Sequence, residues 1–248
     1  MKAYIKKTLT LFAVIIALFC SACTVNFNNL DTDQTKIING VAGNKVLTAN
    51  VTIFAYSITG RTNAQGSGVI YKGNGLSYYA LTNNHVVYEG FSYSVMDAYG
   101  EIWNAKLEGY DASYDLAVVS FRPQTENEYY VPKINETDPS VGDVVISIGN
   151  PQGVMNSVTF GTISKYLSIE ALDKDSMLDD EGSNVEFEVI KHNAPIDSGS
   201  SGGALLDQNY NICGINFASG RGENSKFVSG YAVQPTKILE FLTAKGLI

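Results

Sequence analysis

Three short stretches of this chain carry side chains whose types and order suit acyl transfer. They are Leu81-Thr82-Asn83-Asn84-His85-Val86-Val87, Tyr114-Asp115-Leu116-Ala117-Val118-Val119 and Gly199-Ser200-Ser201-Gly202-Gly203-Ala204-Leu205. In chain order they offer an imidazole, a carboxylate and a hydroxyl framed by glycines. A serine hydroxyl is a poor nucleophile until a base takes its proton, and that base needs an anion to hold its tautomer and stabilise its charged form. The pattern therefore casts Ser201 as nucleophile, His85 as general base and Asp115 as the group that orients His85. The flanking glycines let the backbone turn tightly, so that the N–H groups of Gly199 and Ser201 point at one spot and form an oxyanion hole.

Competing residues are weaker on chemical grounds. Ser198 and Ser200 lack the Gly-x-Ser-Gly-Gly frame. Asp111, between Tyr110 and Ala112, reads as a turn residue. The second histidine, His192, precedes the serine loop and is expected to be structural or to line the cleft. Cys213 sits in an apolar strand and reads as a small core residue. A metal site needs more His, Cys and acidic ligands at ligand spacing than this chain offers, and no cofactor is expected.

Short β-rich segments between turn signals must position these groups. The first set is Val51–Ile58, Ser67–Tyr71, Tyr78–Thr82, Tyr93–Ala98, Ala105–Tyr110 and Leu116–Phe121. The second is Val144–Gly149, Ser157–Leu167, Val185–His192, Gly203–Asp207, Tyr210–Phe217 and Phe227–Val233. Six and six strands predict an all-β fold of two six-stranded antiparallel β-barrels. Residues 124–140, carrying Pro132 and Pro139, are the natural connection. Residues 170–183 read as a long acidic loop with a functional or mobile role. Ile238, Leu239, Phe241 and Leu242 mark a C-terminal helix that Thr236 would cap and Gly246 would stop.

The N-terminus reads as an export signal. Lys2, Lys6 and Lys7 precede the apolar run Leu9 to Phe19 and then Cys20-Ser21-Ala22-Cys23. Eleven residues are too few for a membrane span of roughly 20 residues. Ser-Ala-Cys resembles the bacterial lipoprotein signal, in which Cys23 becomes the acylated first residue; position 20 departs from that pattern. Residues 1–22 are thus the expected signal, 23–45 a polar spacer and 46–248 one domain. Lys36-Ile37-Ile38-Asn39-Gly40 is similar to a trypsin-type activation site. However, Ser200 stands where the acid for the freed terminus would be, so no such activation is expected. The net charge of -8 argues against nucleic acid as partner.

The chain resembles the high-temperature-requirement (HtrA) family of trypsin-like serine proteases. Besides the three motifs, Gly149-Asn150-Pro151-Gln152-Gly153, the strand Val158 to Ser164, Gly214-Ile215-Asn216 and Gly230-Tyr231-Ala232-Val233-Gln234-Pro235 follow the family's order. The resemblance covers roughly residues 51 to 248. It implies a chymotrypsin-like double barrel, with His85 and Asp115 from the first barrel and Ser201 from the second. It also implies a specificity pocket walled by Ile215, Asn216 and Phe217. Pro195 falls where trypsin carries its pocket-bottom aspartate. A cationic side chain would lie there unpaired, so small or medium aliphatic residues are expected at the cleaved bond. Family members usually carry PDZ domains, and none is expected after Ile248. Nor is the family's trimerisation segment recognisable, and Gly-Ser-Ser-Gly-Gly replaces its Gly-Asn-Ser-Gly-Gly.

These readings converge on an exported, lipid-anchored endopeptidase acting on unfolded or exposed polypeptides at the outer surface of a bacterial membrane. One alternative is a catalytically silent adhesin or holdase on the same scaffold. The other is a narrow processing protease resembling the glutamyl endopeptidases, which place a histidine near the position of Ile215.

Overall fold

The computed structural model describes residues 32–168, 184–222, 224 and 226–248. The expected export signal, Cys23 and residues 170–183, read as a loop, lie outside the described residues. Twelve strands close into two antiparallel barrels of six. The first barrel comprises β1 (Asn50–Tyr56), β2 (Thr62–Gly73), β3 (Tyr78–Thr82), β4 (Ser92–Met96), β5 (Ile102–Asp111) and β6 (Leu116–Phe121), in spatial order β1-β2-β3-β6-β5-β4. The second comprises β7 (Val144–Gly149), β8 (Ser157–Leu167), β9 (Val189–His192), β10 (Ala204–Leu206), β11 (Ile212–Arg221) and β12 (Phe227–Val233), ordered β10-β11-β12-β9-β8-β7. Closure gives every strand two neighbours and leaves no open edge. The six-plus-six architecture expected from the strand spacing is the one observed.

Continuous apolar runs, rather than strict alternation, mark strands buried on both faces. On β6, Ala117, Val119 and Phe121 pack with Val51 and Ile53 inside the first barrel. Leu116 and Val118, on the opposite face, join Ile146, Ile148 and Ile215 of the second barrel in the largest apolar cluster. That layer seats one barrel on the other, each fully buried aliphatic side chain contributing about 1.5–3 kcal/mol. Inside the second barrel, Cys213 packs with Val145, Ile163, Ile190 and Leu205 as a small apolar residue. Burial pushes its thiol well up and keeps it protonated. Between the barrels, Ile134 bridges in parallel to Ile212.

Part of the stretch read as a spacer is folded. Helix α1 (Thr32–Gly43) precedes a single 3₁₀ turn over Val46–Ala49. Ile37 packs against the largest apolar cluster, and Val41, one turn on, is buried in it. The Tyr210 hydroxyl donates to Ile37 O at 3.3 Å. The Lys36–Gly40 motif lies within this helix. Helix α2 (Asn84–Val87) follows β3, and α3 (Pro235–Ala244) ends the chain. Thr236 does not cap α3. The N-cap is Gln234, because Pro235 with its fixed φ takes the first helical position. Asp138 of the inter-barrel connection supplies the missing acceptor, receiving Thr236 N at 3.0 Å and Thr236 Oγ1 at 2.9 Å. Gly246, at φ 66°, does end the helix, with Leu247 N donating to Leu242 O at 2.9 Å. Among the described residues no helix is long and apolar enough to cross a membrane.

Candidate active site

His85 sits in α2, immediately after β3 ends at Thr82. Buried Val86 and Val87 pin that helix to the first barrel's core. Asp115 occupies the turn between β5 and β6 and is fully buried. Its backbone lies in the left-handed region, at φ 48°, a strain on the order of 1 kcal/mol for a non-glycine residue. The Asn83 side-chain amide donates to Asp115 O at 2.8 Å and holds the turn. Asp115 Oδ1 accepts the His85 backbone N–H at 3.0 Å, and Oδ2 lies 2.8 Å from His85 Nδ1. A carboxylate only accepts, so Nδ1 carries the proton and, in the neutral ring, Nε2 is the acceptor.

Ser201 belongs to the second barrel, in the turn before β10. A cleft of about 290 Å³ is lined by His85 from one barrel and by Gly199, Ser200 and Ser201 from the other. The Ser201 hydroxyl rests 3.4 Å from Phe217 O, its acceptor. The volume is just under the roughly 300–1,000 Å³ of small-molecule and cofactor sites. It suits one substrate side chain. Among the described residues no group of three or more His, Cys, Asp or Glu is placed to hold a metal ion.

The loop's peptide planes are fixed one by one. Ser198 O accepts Gln152 N at 2.8 Å, and Ser200 O accepts Gly203 N at 2.9 Å. In a trans peptide the N–H points away from the preceding carbonyl. Anchoring those two oxygens therefore aims Gly199 N–H and Ser201 N–H each away from its own anchored carbonyl. The neighbouring donors are committed elsewhere: Ser200 N to Asp197 O at 2.8 Å and Gly202 N to Asn216 O at 2.8 Å. Gly199 and Gly202 adopt φ 93° and 83°. A Cβ on Gly202 would collide with Ser67 O and Thr82 Oγ1, so position 202 requires glycine.

The expected pocket wall is only partly at the cleft. Phe217 lines it, together with Ile196, Ala218 and Ser219. Ile215 is instead in the apolar core. The Asn216 amide turns inward, donating to Ser147 Oγ at 2.9 Å and facing His192 Nε2 at 3.0 Å. Alternation along β11 sends Asn216 to the face opposite Ile215 and Phe217, and the register with β12 shifts between Asn216 and Ala218, beside the residues that line the cleft. Pro195 faces a separate surface groove beside Lys36 and Ile37, and Ile196 takes the cleft position expected of it.

His192 is structural. It is fully buried, and burial holds its imidazole down to about 4, against the opposing hydrogen bond to Asn216. Unfolded, it binds a proton near its ordinary value of 6.5. Between those values the unfolded chain binds more protons, so stability falls as pH falls. The contribution is full above about pH 6.5 and is lost towards pH 4, by up to about 3 kcal/mol. Urea midpoints at pH 7.5 and 4.5 are expected to differ less in His192→Gln than in the parent.

Two features were invisible in the motifs. Asp197, at the cleft, pairs with the Arg221 guanidinium and accepts Gln152 Nε2 at 3.0 Å. Ser67 on β2 contacts the serine loop across the barrel junction. The only sequence signal for Ser67 is its Gly66-Ser67-Gly68 frame.

With this geometry in place, the comparisons define the class. The chain belongs to the trypsin-like peptidase domain family, whose model matches residues 66–215. It is 34% identical, over 76% of its length, to a probable periplasmic serine endoprotease, DegP-like, from Bartonella henselae. It spans about a third of that relative's length, 35%. A solved serine endoprotease from Yersinia pestis matches at TM-score 0.63 and 28% identity, over 85% of this chain and 66% of that one. The active form of an M. tuberculosis protease matches at TM-score 0.67 and 20% identity, over 86% of both chains, a likeness of fold. The HtrA resemblance of the motifs and these DegP-like matches agree.

Proposed function

We propose that this chain is an exported serine endopeptidase hydrolysing peptide bonds of unfolded or exposed polypeptides. The observation that carries the reading is the two-point grip of Asp115 on His85, beside a cleft shared with Ser201. Ser201 Oγ attacks the amide carbonyl while His85 Nε2 takes its proton. Gly199 and Ser201 N–H groups hold the oxyanion. The tetrahedral intermediate collapses, His85 returns the proton to the leaving amine, and an acyl-enzyme remains. Water, deprotonated by His85, then releases the acid.

Ile196, Phe217 and Ala218 give the cleft an apolar wall, and the carboxylate in its lining, Asp197, is already engaged by Arg221, which supports small or medium aliphatic residues at the cleaved bond. Export and a lipid anchor at Cys23 rest on the Ser21-Ala22-Cys23 ending of the leader. The periplasmic description of the DegP-like relatives fits export. The mass of the mature N-terminus tests the anchor, since an unmodified Cys23 or a start elsewhere removes it.

A fluorophosphonate probe tests the chemistry. It is expected to add once per folded molecule, on Ser201, with a rate that falls when His85 is replaced by alanine. Absence of an adduct in folded protein favours the silent adhesin or holdase.

A further inference from the structure

We propose that Ser67 is a positioning residue for the oxyanion hole: its buried hydroxyl clamps the nucleophile loop of the second barrel to the first. This deepens the endopeptidase reading and rests on it. Ser67 lies on β2, and no part of it is exposed. Three of its atoms make four hydrogen bonds. Its N–H donates to Ser201 O at 2.8 Å. Its carbonyl accepts Thr82 Oγ1 at 2.7 Å. Its Oγ donates to Gly199 O at 2.6 Å and accepts Asn150 N at 2.8 Å. One hydroxyl thus joins β2, the Asn150 turn and the serine loop.

The peptide planes show why this matters for chemistry. The plane joining Gly199 to Ser200 is held at its oxygen by Ser67 Oγ and at its nitrogen by Asp197 O. The plane joining Ser201 to Gly202 is held at its oxygen by Ser67 N and at its nitrogen by Asn216 O. Between them lies the plane that carries Ser201 N–H. With both neighbours fixed at both ends, that N–H has one direction. The other hole-forming donor, Gly199 N–H, belongs to the same residue as the carbonyl that Ser67 grips, one peptide plane earlier. Glycine at 199, with φ 93°, has no steric preference of its own to keep that carbonyl in place. The Ser67 hydroxyl supplies the constraint.

Ser67→Ala removes the donor to Gly199 O and strands Asn150 N in a water-excluded site. Loss of a whole oxyanion donor costs about 10²–10³ in rate. Loosening one costs less, so kcat is expected to fall about 10–100-fold with KM within about threefold. The readout is a kcat against KM split on a peptide substrate, together with affinity for a peptide aldehyde. The aldehyde forms a tetrahedral adduct on Ser201 and fills the hole. Both are measured where circular dichroism shows the variant folded, and normalised to active sites. Aldehyde affinity is expected to fall by the same factor as kcat, and Ser67→Cys, a weaker donor of similar volume, to fall between parent and Ser67→Ala. If Ser67→Ala does not fold, Ser67→Cys alone decides. A folded variant whose kcat and aldehyde affinity stay within twofold of the parent overturns the proposal, as does a loss that tracks only the unfolded fraction. A parent protein that takes no fluorophosphonate instead overturns the endopeptidase reading and this inference with it. A reactive parent with an indifferent Ser67 sinks this inference alone.

Discussion

Ser201→Ala is expected to lower kcat by about 10⁶ while leaving the fold and KM almost unchanged. Alanine deletes one oxygen from a half-buried turn. The turn's conformation depends on Gly199, Gly202 and the bonds of Ser198 O, Ser200 O and Ser201 O to their donors, none of which involves the Ser201 hydroxyl. That hydroxyl's hydrogen bond to Phe217 O is a long one, 3.4 Å. Loss of stability is therefore expected to stay within about 0.5 kcal/mol, as at sites that bear no packing or network role. The groups that act together are not additive. His85→Ala is expected to cost nearly as much, and the double variant no more than either alone. Active-site titration, casein cleavage and a urea melt on the three variants check this. Equal cleavage by parent and Ser201→Ala would remove Ser201 as nucleophile.

Asp115→Asn is the second large effect. The amide is isosteric, and asparagine tolerates the left-handed φ of 48° at this turn. The fold should survive. Its oxygen can still accept the His85 backbone N–H, as Asp115 Oδ1 does at 3.0 Å. The other atom becomes an NH₂ donor facing His85 Nδ1, where Oδ2 accepts at 2.8 Å. Two donors cannot share one bond, so the imidazole adopts the other tautomer and presents an N–H towards the cleft. An imidazole so protonated cannot accept the serine proton. The expected fall in kcat is about 10⁴ at neutral pH. Nitrogen NMR of the His85 ring reports the tautomer directly. A fall of less than tenfold with the tautomer exchanged would show that His85 is not the base.

What was legible in the sequence follows from how local each determinant is. Strands β3, β6, β7, β8 and β12 lie at their expected bounds, because turn chemistry and apolar runs mark both ends. Strand β2 runs from Thr62 to Gly73, well beyond the apolar core Ser67–Tyr71. Its early residues are held by pairing with β1 rather than by their own composition. Helix α1 was missed because its largely polar sequence hides Ile37 and Val41, whose burial matters only against a core that no local window contains. The imidazole, carboxylate and hydroxyl were legible as candidates because each sits in its own motif. The inward turn of Asn216 was missed for the opposite reason. Its partners, Ser147 and His192, are 69 and 24 residues away. Ser67 likewise reaches 132 residues along the chain to Gly199.

His85 and Asp115 belong wholly to one half of the molecule and Ser201 to the other, so neither half owns the reaction. Turnover is in effect a gauge of how squarely the halves are docked. A perturbation that pries the apolar layer of Val118 and Ile148 apart should silence hydrolysis while each sheet still gives its full dichroism signal. Such a molecule would be inactive without being denatured.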